Sequence, residues 1–174
     1  MAQNNKLVPY IRLKEIKARV KEIAKEIRRE YKGRTPVFIG VLNGAFIFMS
    51  DLIREVNIDC EIDFYKLSSY GDQKISSGEV KSLKKLNADI NGRDVIVIED
   101  IIDSGLSIKY IKEDIMKRNP RSLKIGALLF KKGLSKLDFK IDYIGFKIPN
   151  KFVVGYGLDY AQKYRNLKEI FVLK

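Results

Sequence analysis

The chain has 174 residues, a formal net charge of +12, 45% hydrophobic and 32% charged residues. That balance suits about one globular domain and excludes an intrinsically disordered chain. Histidine is absent and Cys60 is the single cysteine, which excludes a Ser-His-Asp triad, histidine-ligated zinc and an internal disulfide.

Any general base must therefore be a carboxylate, a lysine or a tyrosine. The positive charge points to anionic partners. The lysines are spread along the chain without forming a tail, which favours general surface charge plus small phosphorylated ligands. The N-terminal MAQNNKLVPY lacks the apolar core of a secretory signal. The most apolar stretch, Val37 to Ile53, is broken by Asn43, Gly44, Ser50 and Asp51, so no membrane span is expected. A reducing, cytoplasmic setting is the expectation.

Residues 11–31 carry a helical period, with Ile11, Ile16, Val20, Ile23, Ile27 and Tyr31 on one face. The interleaved Glu15, Glu22, Glu26 and Glu30 break any continuous cationic stripe on the other. Gly33 ends this helix. Pro36 to Leu42 reads as a buried strand, Asn43-Gly44 as a strand-to-helix turn, and Ala45 to about Val56 as a helix. The Asn43-Gly44 loop is either a tight turn or a set of backbone N–H groups able to hold a diphosphate.

Cys60 to Leu67 is the next strand, with Cys60 a buried, inert thiol. From Ser68 to Asn91 the chain is polar and long for a connection. Part of it could form a hairpin with Gly71-Asp72 or Ser77-Gly78 at the tip, and such loops often serve as lids. Tyr70 would suit a lid or simply pack the loop down.

The stretch VIVIEDIIDSGLSI, Val95 to Ile108, organises the chain. Val95 to Ile98 read as a buried parallel strand. Glu99 and Asp100 follow, and would face opposite ways if the strand ran on. As a strand-end pair they suit ribose hydroxyls or magnesium. Asp103-Ser104-Gly105-Leu106-Ser107 then turns into a helix from Ser107 to Arg118. Glycine, two hydroxyls and a helix N-terminus favour a phosphate, with Asp103 beside it placed for acid–base work; the same features equally describe a strand ending in charged residues, an Asp-Ser-Gly turn and a helix. Neither GxxxxGK[ST] nor GxGxxG occurs.

Leu123 to Phe130 is another strand, followed by Lys131, which binds a carbonyl oxygen or phosphate or else is a solvated turn lysine. Tyr143 to Ile148 is a further strand, stopped by Pro149. The irregular end, Asn150 to Lys174, holds Phe152, Asp159 and Arg165 before a terminal strand, Ile170 to Leu173. Phe152 stacks on a planar base or fills the core. Asp159 and Arg165 form a surface ion pair or a metal and diphosphate clamp. The alternation predicts an α/β fold with a central, mostly parallel sheet flanked by helices. A single domain over 1–174 is expected, its core at about 11–145 and a small hood built from the N-terminal segment and about 146–174.

VIVIEDIIDSGLS resembles the ribose-phosphate signature of type I phosphoribosyltransferases, most closely their hypoxanthine-guanine branch. VLNGAFIFMSDL is similar to that family's diphosphate loop, KLSSYGD to the start of its lid, and IGFKIPNKFVVGYGLDYAQKYRNL to its purine-binding segment. The resemblance implies transfer of a phosphoribosyl group from 5-phosphoribosyl 1-diphosphate to a 6-oxopurine, with Mg2+. It makes Asp103 the base at purine N7, and Ser104, Gly105, Leu106 and Ser107 the 5-phosphate cradle. Glu99 and Asp100 become the ribose and magnesium pair, and Lys131 the ligand of the 6-oxo group. Phe152 becomes the stacking ring, Val153 a backbone contact to the purine edge, Asp159 a second magnesium position and Arg165 the diphosphate arginine. Asn43 and Gly44 become the diphosphate loop, and Ser69 and Tyr70 the lid tip.

Asn43 stands where many relatives carry lysine or arginine, so the loop's role rests on its backbone. A cis Asn43–Gly44 bond is expected there. The resemblance also implies a homodimer or homotetramer. Competing readings are a xanthine-preferring enzyme and an RNA-binding regulator on the same fold. The net charge fits the regulator, and the 6-oxopurine segment does not.

Overall fold

Strands made almost wholly of Val, Ile and Leu can only be stable with both faces covered, and this chain supplies a helix layer for each. The computed structural model describes residues 6–68, 81–84, 86–133 and 137–174. Its central strand is β5 (Asp94–Ile102), between β2 (Val37–Leu42) and β6 (Ser122–Lys131). The six-stranded sheet has the order β4-β3-β2-β5-β6-β7, with β3 Glu61–Ser68, β4 Lys81–Lys84 and β7 Tyr143–Ile148. β4 pairs antiparallel to β3, and the other pairings are parallel.

Side chains alternate across this sheet with period two. Phe38, Ile96 and Ile98 face one core with Ile16, Val20, Ile23 and Ile27 of α1 (Leu13–Glu30) and Phe48, Met49 and Leu52 of α2 (Phe46–Val56). Val37, Ile39, Val95 and Val97 face a second core with Ile108, Ile111 and Ile115 of α3 (Leu106–Met116). Register pairs Val37 with Val95 and Ile102 with Phe130, so the carboxyl ends of β2, β5 and β6 lie side by side. Among the described residues no helix is long and apolar enough to cross a membrane.

The two chain ends meet in a second sheet. β1 (Leu7–Ile11) pairs antiparallel with β9 (Ile170–Leu173), which pairs with β8 (Val153–Val154). Ile11 thus ends a strand and does not begin the helix, which starts at Leu13. Pro9 within LVPYI hides this strand from a pattern reading, since proline sits only at sheet edges, and β1 is an edge. β8 lies in the segment read as irregular. α3 begins at Leu106 and ends at Met116, where the sequence suggested Ser107 to Arg118. Cys60 precedes β3 and is only partly buried. Burial, then the Asp59 charge, raises its thiol. The suggested hairpin tips, and Ser69 and Tyr70, lie outside the described residues.

Two buried carboxylates bolt the sheet's ends to its loops. Asp63 accepts from Lys84 Nζ (2.8 Å) and from the backbone N–H groups of Phe64, Asn87 and Ala88. Burial alone would raise its pKa, but Lys84 and these three N–H groups outweigh it and hold the carboxyl at about 2. Asp94 accepts from Arg121 and from Ser122 Oγ (2.6 Å). Arg121 above all holds it at about 2 as well, against burial. Both pKa values lie below the unfolded value of about 4. Their stabilisation is therefore complete above about pH 4 and is lost as pH falls toward 2. Urea midpoints measured from about pH 5 down to pH 2 fall accordingly, and the fall is shallower in the Asp63→Asn/Asp94→Asn double variant.

Candidate active site

β5 does not stop at Ile98. It continues through the acidic pair to Ile102, and the Glu99 and Asp100 carboxyls still lie close enough to act on each other. Glu99 is 8% exposed, and its Oε2 is buried without a hydrogen-bond partner among the described residues. Burial, then the Asp100 charge, pushes its carboxyl well up. Burial raises Asp100 also, opposed by hydrogen bonds and the charge of Arg165. Asp100 Oδ1 accepts the Ile101 N–H at 2.8 Å.

Asp100 lies against the loop that follows β2. A Cβ built on Gly44 would stand 1.6 Å from Asp100 Oδ2, so only glycine lets that backbone approach. A Cβ on Gly157 would stand 2.1 Å from the Gly44 carbonyl oxygen. Three separate segments therefore converge by backbone contact. Asn43 is exposed beside them. The cis bond joins Leu42 to Asn43, one residue earlier than the Asn43–Gly44 bond the resemblance suggested.

The turn after β5 delivers α3. Gly105 adopts φ +85° at the helix N-cap, and the Leu106 N–H donates to Ser104 Oγ at 3.4 Å. Ser104, Leu106 and Ser107 are exposed. A helix start of this kind offers N–H groups and a positive dipole end to an anion. Leu137 covers the turn from the β6–β7 connection, where a Cβ on Gly105 would stand 2.5 Å from Leu137 Cδ2.

Asp103 and Lys131 end neighbouring strands and meet. Lys131 Nζ donates to Asp103 Oδ2 at 2.8 Å and to Asn150 Oδ1 at 3.4 Å. The lysine side chain is 10% exposed and the aspartate 49%, so the ammonium comes from below while the carboxylate opens to solvent. Lys131 is not a solvated turn lysine. Its pairing with Asp103 and Asn150 escaped the sequence reading, because adjacency of strand ends needs the strand order.

The last segment supplies the other wall. Val153 is buried in β8. Phe152 is 52% exposed, so it is not a core residue, and it meets Tyr160 edge-on at 5.7 Å between ring centroids. An exposed aromatic held by a neighbour offers a face to a planar ligand. Arg165 pairs with Asp159 at 2.8 Å and donates to the Gly157 carbonyl at 2.9 Å. Among the described residues no three His, Cys, Asp or Glu side chains converge as a metal cluster. A cation here would complete its shell from ligand phosphates, as magnesium commonly does. The unpartnered Glu99 oxygen and the closely packed Glu99 and Asp100 carboxyls fit such an ion.

The phosphoribosyl transferase domain family matches residues 10–161. Hypoxanthine-guanine phosphoribosyltransferase of Bacillus subtilis is 51% identical over 160 residues, covering 92% of this chain and 89% of that protein. The bifunctional protein TilS/HprT of Listeria monocytogenes is 49% identical over 160 residues, and there the match spans only 25% of the longer protein. A crystal structure of a hypoxanthine-guanine phosphoribosyltransferase from Bacillus anthracis superposes with a TM-score of 0.90 at 41% identity, covering 98% of this chain and 100% of that one.

The glycine contact is open to a direct check. Gly44→Ala destabilises the protein by about 1–3 kcal/mol, the usual range for overpacking, as read from urea unfolding. Adding Asp100→Ala removes the collision partner and recovers much of that loss, giving a strongly non-additive double-mutant cycle.

Proposed function

The chain belongs to the phosphoribosyl transferase family, and we propose that it works in purine salvage on hypoxanthine or guanine. It would transfer the 5-phosphoribosyl group of 5-phosphoribosyl 1-diphosphate to the base, giving IMP or GMP and diphosphate. The observation that carries this reading is the Lys131–Asp103 pair at 2.8 Å beside the N-terminus of α3. A 6-oxopurine presents O6 and N7 on one edge. A buried ammonium donating to O6 and an adjacent carboxylate taking the N7 proton match that edge and no edge of adenine.

The remaining roles follow from the chemistry of the reaction. Ser104, Gly105, Leu106 and Ser107 bind the 5-phosphate through hydroxyls and N–H groups. Glu99 and Asp100 accept from the ribose hydroxyls. Phe152 stacks on the base, and the Val153 backbone meets its edge. Arg165 and the Asn43-Gly44 backbone hold the diphosphate as charge moves onto it. Mg2+ at the Glu99–Asp100 pair, and a second at Asp159, each completed by phosphate oxygens, would neutralise that charge when bound. With Asn43 uncharged, the diphosphate loop contributes only dipoles, and Arg165 carries the side-chain cation.

Two wider readings belong to the same proposal. The single, partly buried Cys60 suits a cytoplasmic enzyme. A homodimer or homotetramer, which the family resemblance implies, belongs to the same proposal and is to be read by sedimentation.

The test is a spectrophotometric assay with 5-phosphoribosyl 1-diphosphate, Mg2+ and each of hypoxanthine, guanine, xanthine and adenine. Turnover of hypoxanthine or guanine is expected. Preference for xanthine would move the substrate assignment, and no turnover by folded protein would overturn the function. Asp103→Asn keeps substrate binding and slows synthesis about 100-fold or more, the scale of a lost general base. Phe152→Ala raises the purine KM while leaving the unfolding free energy within about 0.5 kcal/mol, as for other surface positions.

A further inference from the structure

Gly155, Tyr156 and Gly157 have φ of +99°, +51° and +101°. Glycine takes that region freely, but a tyrosine there is held against its preference. Such a residue persists where its surroundings over-determine it, and those surroundings are on view. The Tyr156 ring is 3% exposed, and its hydroxyl donates to Asp51 Oδ2 at 2.6 Å. Its N–H donates to the Leu167 carbonyl at 2.8 Å, and the next N–H, of Gly157, to the Arg165 carbonyl at 3.0 Å.

Asp51 belongs to α2, the helix that leaves the Asn43-Gly44 loop. Gly157 sits with its Cα against the Gly44 carbonyl and its own carbonyl on Arg165 Nη1 at 2.9 Å. One hydrogen bond thus spans the two segments that hold the proposed diphosphate groups. We propose that Asp51 and Tyr156 are a positioning pair. Their bond pins the 155–157 turn to α2, and through Gly157 it sets Arg165 and Asp159 against the Asn43-Gly44 loop. Neither side chain touches substrate. Val153 is held separately by the β8–β9 pairing, so the purine side does not depend on the pin.

This inference rests on the proposed phosphoribosyl transfer. Tyr156→Phe keeps the ring and deletes the donor. It raises KM for 5-phosphoribosyl 1-diphosphate, and for diphosphate in the reverse reaction, about 10-fold, the equivalent of about 1.4 kcal/mol. The purine KM stays within about two-fold. Asp51→Ala has the same effect, and the double variant is no worse than either single one. Asp51→Asn, which keeps an acceptor, restores the parent KM. Arg54→Ala removes the other partner of Asp51 and leaves KM unchanged. Parent-like KM values in folded Tyr156→Phe and Asp51→Ala overturn the pin, as does an equal rise in every KM. An inactive parent enzyme overturns the function instead.

Discussion

A carboxylate pair at the end of an otherwise apolar strand is the constraint on which this structure turns. Val95 to Ile98 are fully buried, and the sheet carries Glu99 into the same environment with one oxygen unpartnered among the described residues. Leaving a buried polar atom unsatisfied costs on the order of 1–3 kcal/mol. Nothing in the packing of the strand requires an acid there, since an aliphatic residue would complete the core. Under the proposed function the acid is a ligand group whose partner arrives with substrate. The glycines at 44 and 157 then follow, because each is the only residue that lets its backbone reach the pair or the loop against it.

The distribution of charge supports the same economy. Most arginines are tied to the frame. Arg121 and Arg34 reach Asp94, Arg93 reaches Glu61, and Arg19 donates to the Ile144 and Gly145 carbonyls. Among the described residues the cations of the candidate site are Lys131 and Arg165, each already paired with a carboxylate. The net charge of +12 attracts phosphorylated substrates at long range. On the proposed assignment, recognition at short range falls to two side chains, one helix start and a few backbone groups.

Much of this was legible in the sequence, for reasons that differ by element. The strands of the large sheet were plain because burial on both faces forces unbroken runs of β-branched residues. The Asp103–Ser107 turn was plain because glycine and hydroxyls before a helix have few other uses. β1 was hidden by Pro9, whose edge position only the partner β9 reveals. β8 was hidden by its brevity, two residues held by a strand far away in the chain. The Lys131–Asp103 contact and the Asp51–Tyr156 bond were invisible because each joins residues brought close only by topology. The three positive φ values at 155–157 left a trace, the Gly-Tyr-Gly triplet, which signalled a turn without saying what it rests on.

The Lys131–Asp103 contact also bears on how a base could enter. In the structure the ammonium donates to Asp103 and Asn150, and the carboxylate faces outward. A 6-oxopurine arriving over the Phe152 face brings an acceptor for the lysine and an acidic N–H for the aspartate. Both groups can then keep a hydrogen bond throughout, so no charged atom is left bare as the ligand binds. An adenine would bring an amino donor to the ammonium, and the buried Lys131 would lose a partner without gaining one. Rejection of a base that leaves a buried polar group unpaired is far stronger than rejection by shape. On the proposed assignment, selectivity for the oxo group over the amino group would be built into the burial of Lys131 as much as into its charge.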